Sequence, residues 1–150
     1  MLELGNLAPD FQTVLGNGEE ISLSQFRGQK VILYFYPKDN TPGCTTEACD
    51  FQANLATFHE RNVAVLGISP DKIDSHNRFA HKYDLTFPLI SDTDLTISNL
   101  YGVWKEKMNY GRTYMGIERT TFVIDETGTI ISIFPKVRVK GHIQRLIDSL

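Results

Sequence analysis

The stretch Lys30-Val31-Ile32-Leu33-Tyr34-Phe35-Tyr36-Pro37-Lys38-Asp39-Asn40-Thr41-Pro42-Gly43-Cys44 holds the clearest structural signal in the chain. Lys30 to Tyr36 is β-branched and aromatic with no polar alternation, as a central strand buried on both faces should be. Pro37 ends it, because proline has no amide to give to a ladder. From Ala48, eleven residues later, the pattern changes period: Ala48, Phe51, Leu55 and Phe58 recur at helical spacing, predicting one helix that runs to about Asn62. The stretch therefore reads as strand, loop, helix. Val63 to Ser69 repeats the buried strand, and Lys72 to Tyr83 repeats the helix with Ile73, Phe79, Ala80 and Tyr83 inward. That alternation is a βαβ unit.

Upstream, Phe11 to Val14 and Glu20 to Leu23 flank Leu15-Gly16-Asn17-Gly18 and predict an N-terminal hairpin. Downstream come a short strand at Pro88 to Ile90, a helix from Asp94 to Leu100 and an irregular segment from Tyr101 to Glu118, long enough to be functional. Arg119 to Asp125 and Thr129 to Pro135 predict an antiparallel hairpin, and His142 to Leu150 a closing helix with Ile143, Leu146, Ile147 and Leu150 inward. No repeat or linker divides residues 1 to 150, so the expectation is a single α/β domain, a central mixed sheet flanked by helices.

Composition narrows the function classes. The 150 residues are 41% hydrophobic and 22% charged with net charge -3, ordinary for a globular domain. Cations look dispersed along the chain, which argues against nucleic acid as a partner. The longest apolar runs fall far short of the ~20 residues that span a bilayer. The N-terminus has neither a signal-peptide nor a transit-peptide pattern, and a cytoplasmic location is expected.

Two cysteines in a reducing compartment point to catalysis, redox sensing or metal binding rather than to a structural framework. With Thr41 as N-cap and Pro42 as first helical residue, Cys44 falls in the first turn, where free amides and the helix dipole favour thiolate over thiol. Gly43 leaves room beside the sulfur, while Pro37 and Pro42 stiffen the loop. Taken alone, Cys44 fits an inert buried thiol as readily.

Cys49 shifts that balance. On an ideal helix it lies about 8.7 Å from Cys44 by Cα positions, beyond the ~7 Å reach of a disulfide. A bond between them requires the first turns to unwind, and Thr45, Thr46 and Asp50 are modest helix formers. The Cys-x4-Cys spacing lacks a second pair of finger type, and His59, His76, His81 and His142 are scattered, so no metal is expected and these histidines read as surface or partly buried structural residues.

Further segments carry a resemblance. They are Ala8-Pro9-Asp10-Phe11, the P-x3-T-x2-C pattern of Pro37, Thr41 and Cys44, Thr46-Glu47-Ala48-Cys49, Phe87 to Asp92, Tyr101-Gly102-Val103-Trp104, Gly116 to Asp125 and Val139-Lys140-Gly141-His142. In this order and spacing the chain resembles the peroxiredoxins, specifically the Q group or bacterioferritin comigratory proteins. The resemblance implies a thioredoxin-like fold, Cys44 as peroxidatic and Cys49 as resolving cysteine, Thr41 and Arg119 orienting the peroxide, and Pro37 shielding the thiolate. It also implies a hydroperoxide substrate, thioredoxin or a similar dithiol as reductant, and no cofactor. Read without the family, Arg119 is a routine strand-end charge. Two other activities share these features: a protein disulfide oxidoreductase, although Cys-x-x-Cys is absent, and a non-enzymatic redox sensor. A monomer is expected, since no exposed apolar stripe is evident.

Overall fold

The structure, a computed structural model, describes residues 2–150. Strand β3 (Lys30–Phe35) occupies the centre of a five-stranded sheet of order β5-β4-β3-β8-β9. β4 (Val63–Ser69) runs parallel to it and β8 (Thr120–Ile124) antiparallel, with Leu33 opposite both Leu66 and Phe122. β5 (Leu89–Ser91) extends the parallel side and β9 (Ile130–Phe134) the antiparallel side. The sheet is therefore mixed, as expected. β1 (Gln12–Val14) and β2 (Glu20–Ser22) form the N-terminal hairpin.

Because strand side chains alternate faces, β3 supplies two cores. Val31, Leu33 and Phe35 pack with Leu66, Ile68, Phe122 and Tyr101 on one face. Ile32 and Tyr34 pack on the other with Phe51, Phe58, Val123 and Leu146. Cys44 belongs to this second core.

Several local expectations are corrected. The helix expected to reach Asn62 breaks at Asn54 (φ -108, ψ 8) into α1 (Pro42–Ala53) and α2 (Leu55–Glu60). Asn54 Nδ2 donates to the Asp50 carbonyl at 2.9 Å, the kind of local side-chain bond that competes with a helical ladder. In α3 (Ile73–Tyr83) Ile73 is exposed, and His76 faces inward instead, 3% exposed. The last helix, α5 (His142–Ser149), places Ile143 and Leu146 in the core with His142, itself 1% exposed. His76 and His142 are thus fully buried, whereas His59 and His81 are at the surface. α4 (Thr96–Leu100) starts later than expected, its Ile97 and Ser98 amides bound by the Asp92 carboxylate at 3.0 and 2.7 Å.

The largest difference lies in the segment expected to be irregular. β6 (Trp104–Asn109) and β7 (Arg112–Ile117) form a separate hairpin, paired from Trp104↔Ile117 to Asn109↔Arg112. Tyr110 and Gly111 make its two-residue loop, both with positive φ, as this tight connection requires. Lys105-Glu106-Lys107 concealed the strand, because a hairpin wetted on both faces shows no apolar alternation. The exposed apolar side chains Met108, Tyr110, Tyr114 and Met115 gather on this hairpin. The cations are not uniformly dispersed either: Lys136, Arg138, Lys140 and Arg145 line one cavity at the start of α5. No helix among the described residues is long and apolar enough to cross a membrane.

Candidate active site

The β3–α1 loop ends at Thr41, still extended (φ -85, ψ 155), and Pro42 opens the helix. Helical bonding begins with Thr45 N to Thr41 O at 2.8 Å. The amides of Gly43 and Cys44 precede that ladder, so the positive end of the helix converges on Cys44. Thr41 holds the N-cap position but does not cap with its side chain. Its hydroxyl instead donates to the Lys38 carbonyl at 2.8 Å.

Cys44 is 1% exposed and free. Arg119, the residue before β8, places Nη2 3.2 Å from Cys44 Sγ. Its Nη1 donates to Glu47 Oε1 at 2.7 Å. Gly43 permits this approach: a Cβ there would lie 3.3 Å from Arg119 Nη2. Burial opposes the charge on Arg119, yet the negative charges of Glu47 and Cys44 outweigh it and hold the guanidinium in its cationic form. A fixed cation against sulfur stabilises thiolate, and its N–H groups can serve a developing alkoxide.

Glu47, one helical turn after Cys44 on α1, is wholly buried, and its Oε2 has no partner among the described residues. Burial pushes its carboxyl up to about 7, against the pull of Arg119. No role follows for it from its sequence position alone. The available signal was a carboxylate three residues beyond a nucleophile candidate, which a helix sets on the same side. Tyr34 is fully buried below them, and burial, then the charges of Glu47 and Cys44, push its phenol well up, so it stays protonated.

Of the residues singled out from sequence, Cys44 and Arg119 are in direct contact, and Thr41 stands one turn before Cys44 in the same helix start. Pro37 is half-buried at the beginning of the loop. Cys49 stands apart, half-buried and free on the unbroken α1. Burial, then the charge of Asp50, pushes its thiol up, so it rests protonated. His142 contributes no second cation to the site. Burial, with the charges of Arg145 and Arg119, lowers it to about 4, and its Nε2 is hydrogen-bonded to the Thr121 hydroxyl at 3.0 Å.

One group of side chains has metal-ligand character. Asp39, Asp71 and His76 bring ligand atoms within 4.8 Å of one another. These atoms are engaged in protein hydrogen bonds: Asp39 Oδ2 meets His76 Nδ1 at 2.7 Å, and His76 Nε2 lies 3.1 Å from the Ile90 carbonyl. Asp71 Oδ2 is engaged likewise, by the Asp39 amide at 2.8 Å and the Ser69 hydroxyl at 2.7 Å.

Comparison with known proteins gives the same class. The AhpC/TSA family pattern matches residues 4–133. Peroxiredoxin Bcp of Bacillus subtilis is 44% identical over 149 residues, covering 99% of this chain and 95% of that protein. A cysteine-to-serine variant of Xylella fastidiosa PrxQ superposes with TM-score 0.93 at 37% identity, covering 99% of this chain and 95% of the other. The bacterioferritin comigratory protein of Xanthomonas campestris, studied for alkyl peroxide reduction, gives TM-score 0.88 at 38% identity over 93% of this chain and 88% of its own. The chain therefore belongs to the peroxiredoxins of the AhpC/TSA family and, within them, to the Bcp or peroxiredoxin Q group. Its fold is thioredoxin-like, with the mixed sheet, flanking helices and N-terminal hairpin described above.

Proposed function

We propose that the protein is a thiol peroxidase that reduces hydrogen peroxide and organic hydroperoxides, using Cys44 as nucleophile and Cys49 as resolving thiol. One observation carries the reading: a buried cysteine in the first turn of α1 with a guanidinium nitrogen 3.2 Å from its sulfur. The Cys44 thiolate attacks the terminal peroxide oxygen. An S–O bond forms as the O–O bond breaks, and the departing alkoxide or hydroxide takes a proton to leave as alcohol or water. Arg119 stabilises the charge on that leaving oxygen, Thr41 accepts a hydrogen bond from the peroxide, and Pro37 shields the sulfur from bulk water. Cys49 then condenses with the Cys44 sulfenic acid, releasing water and forming the Cys44–Cys49 disulfide.

A dithiol protein, thioredoxin or a similar reductant, returns both cysteines to thiols by exchange. No prosthetic group takes part. We read the chain as a single domain acting as a monomer in the reducing cytoplasm, where both thiols stay free between turnovers.

The test is a trapped intermediate. Cys49→Ser treated with one equivalent of hydrogen peroxide should carry one added oxygen on Cys44 by mass spectrometry and should lose recycling by thioredoxin. Unmodified Cys44 after that treatment would refute the assignment.

A further inference from the structure

The peptide unit joining Lys38 to Asp39 is held at both of its polar ends. Its N–H, on Asp39, donates to Asp71 Oδ2 at 2.8 Å. Its C=O, on Lys38, accepts the Thr41 hydroxyl at 2.8 Å. A peptide unit is rigid and planar, so these two groups can only swing together. Whatever fixes the N–H therefore fixes the direction of the carbonyl on the opposite edge. With its only proton committed to that carbonyl, the Thr41 oxygen presents lone pairs alone. It can accept from a peroxide O–H but cannot donate to it.

Asp71 is anchored in turn. Its Oδ2 accepts the Ser69 hydroxyl at 2.7 Å, and its own amide donates to Ser69 Oγ at 3.2 Å. Ser69 is fully buried at the end of β4. The hold on the loop thus originates in the central sheet and stops short of α1, whose first turns must unwind when the disulfide closes.

We propose that Asp71, held by Ser69, is a positioning residue of the peroxide site: through the Lys38–Asp39 peptide plane it sets the direction in which the Thr41 hydroxyl meets substrate. This rests on the thiol peroxidase reading. Since the anchor lies outside the segment that unwinds, the acceptor is already aimed when α1 rewinds after reduction.

The test is the second-order rate constant for oxidation of Cys44 by hydrogen peroxide, followed by quenched flow, alkylation and mass spectrometry. Asp71→Ala should slow it about tenfold, the scale of a small loss of orientation. Asp71→Asn keeps an oxygen acceptor for the Asp39 N–H and should stay within about twofold of wild type. In a Thr41→Val background Asp71→Ala should add nothing, because the group it aims is absent. An Asp71→Ala rate equal to wild type, or an equal slowing with and without the Thr41 hydroxyl, would overturn the proposal. Should Asp71→Ala fail to fold, Ser69→Ala replaces it, with a several-fold slowing expected only when Thr41 is intact. Wild-type protein unreactive at Cys44 would instead refute the peroxidase reading, so the two failures are distinguishable.

Discussion

Glu47 joins the nucleophile's helix to the arginine that faces the sulfur, and its burial makes it titrate near neutrality. With its carboxyl raised from 4.5 to about 7, the folded protein keeps a proton that the unfolded chain releases. The sign follows from linkage: this contribution to stability is full below about 4.5 and is lost as pH rises through about 7. At ~1.4 kcal/mol per pKa unit the loss is about 3 kcal/mol. Glu47→Gln cannot titrate, so urea midpoints of wild type should fall relative to that variant across this window. A constant difference between the two proteins would show that folding does not raise the Glu47 carboxyl. For Arg119, replacement by Met keeps much of the volume and removes the cation. Peroxide oxidation of Cys44 should slow by on the order of 10² or more, as for loss of one transition-state donor, and alkylation by iodoacetamide at neutral pH should slow with it. Unchanged rates would make Arg119 purely structural.

At the scale of elements, legibility followed chemistry. β3 and β4 were readable because a strand buried on both faces leaves an unbroken apolar run. β6 and β7 were not, since Lys105-Glu106-Lys107 faces water and the pairing shows only in three dimensions. Cys44 was legible from its loop and spacing, whereas its contact with Arg119 spans 75 residues and needed the register of β3 with β8 to appear. The Asn54 break is likewise a local side-chain effect that no apolar periodicity encodes. The cysteine spacing carries its own consequence. α1 is continuous from Pro42 to Ala53, so the disulfide cannot form without melting part of it. In the oxidised protein, amides from Cys44 to Asp50 should lose hydrogen-exchange protection while β3 and β4 keep theirs. Equal protection of α1 in both redox states, with the Cys44–Cys49 bond verified by mass spectrometry, would contradict this switch.

At the scale of the whole molecule, the sheet divides the labour. One face holds the apolar core around Leu33, Phe35 and Phe122, where the Tyr101 phenol donates to the Pro9 carbonyl at 2.6 Å, whereas the other carries Cys44, with Arg119 joining it to Glu47. Cys44 thus sits in a packed core together with Ala48 and Phe51 of the same helix. A redox sensor needs to react once, and a disulfide oxidoreductase needs a protein disulfide as substrate. The direct measurement is peroxide-dependent NADPH oxidation by the purified protein with thioredoxin and thioredoxin reductase, no protein disulfide being added. Turnover as a thiol peroxidase requires many equivalents of peroxide consumed per protein and none by Cys44→Ser. Consumption stopping at one equivalent in wild type, or persisting in Cys44→Ser, would contradict it.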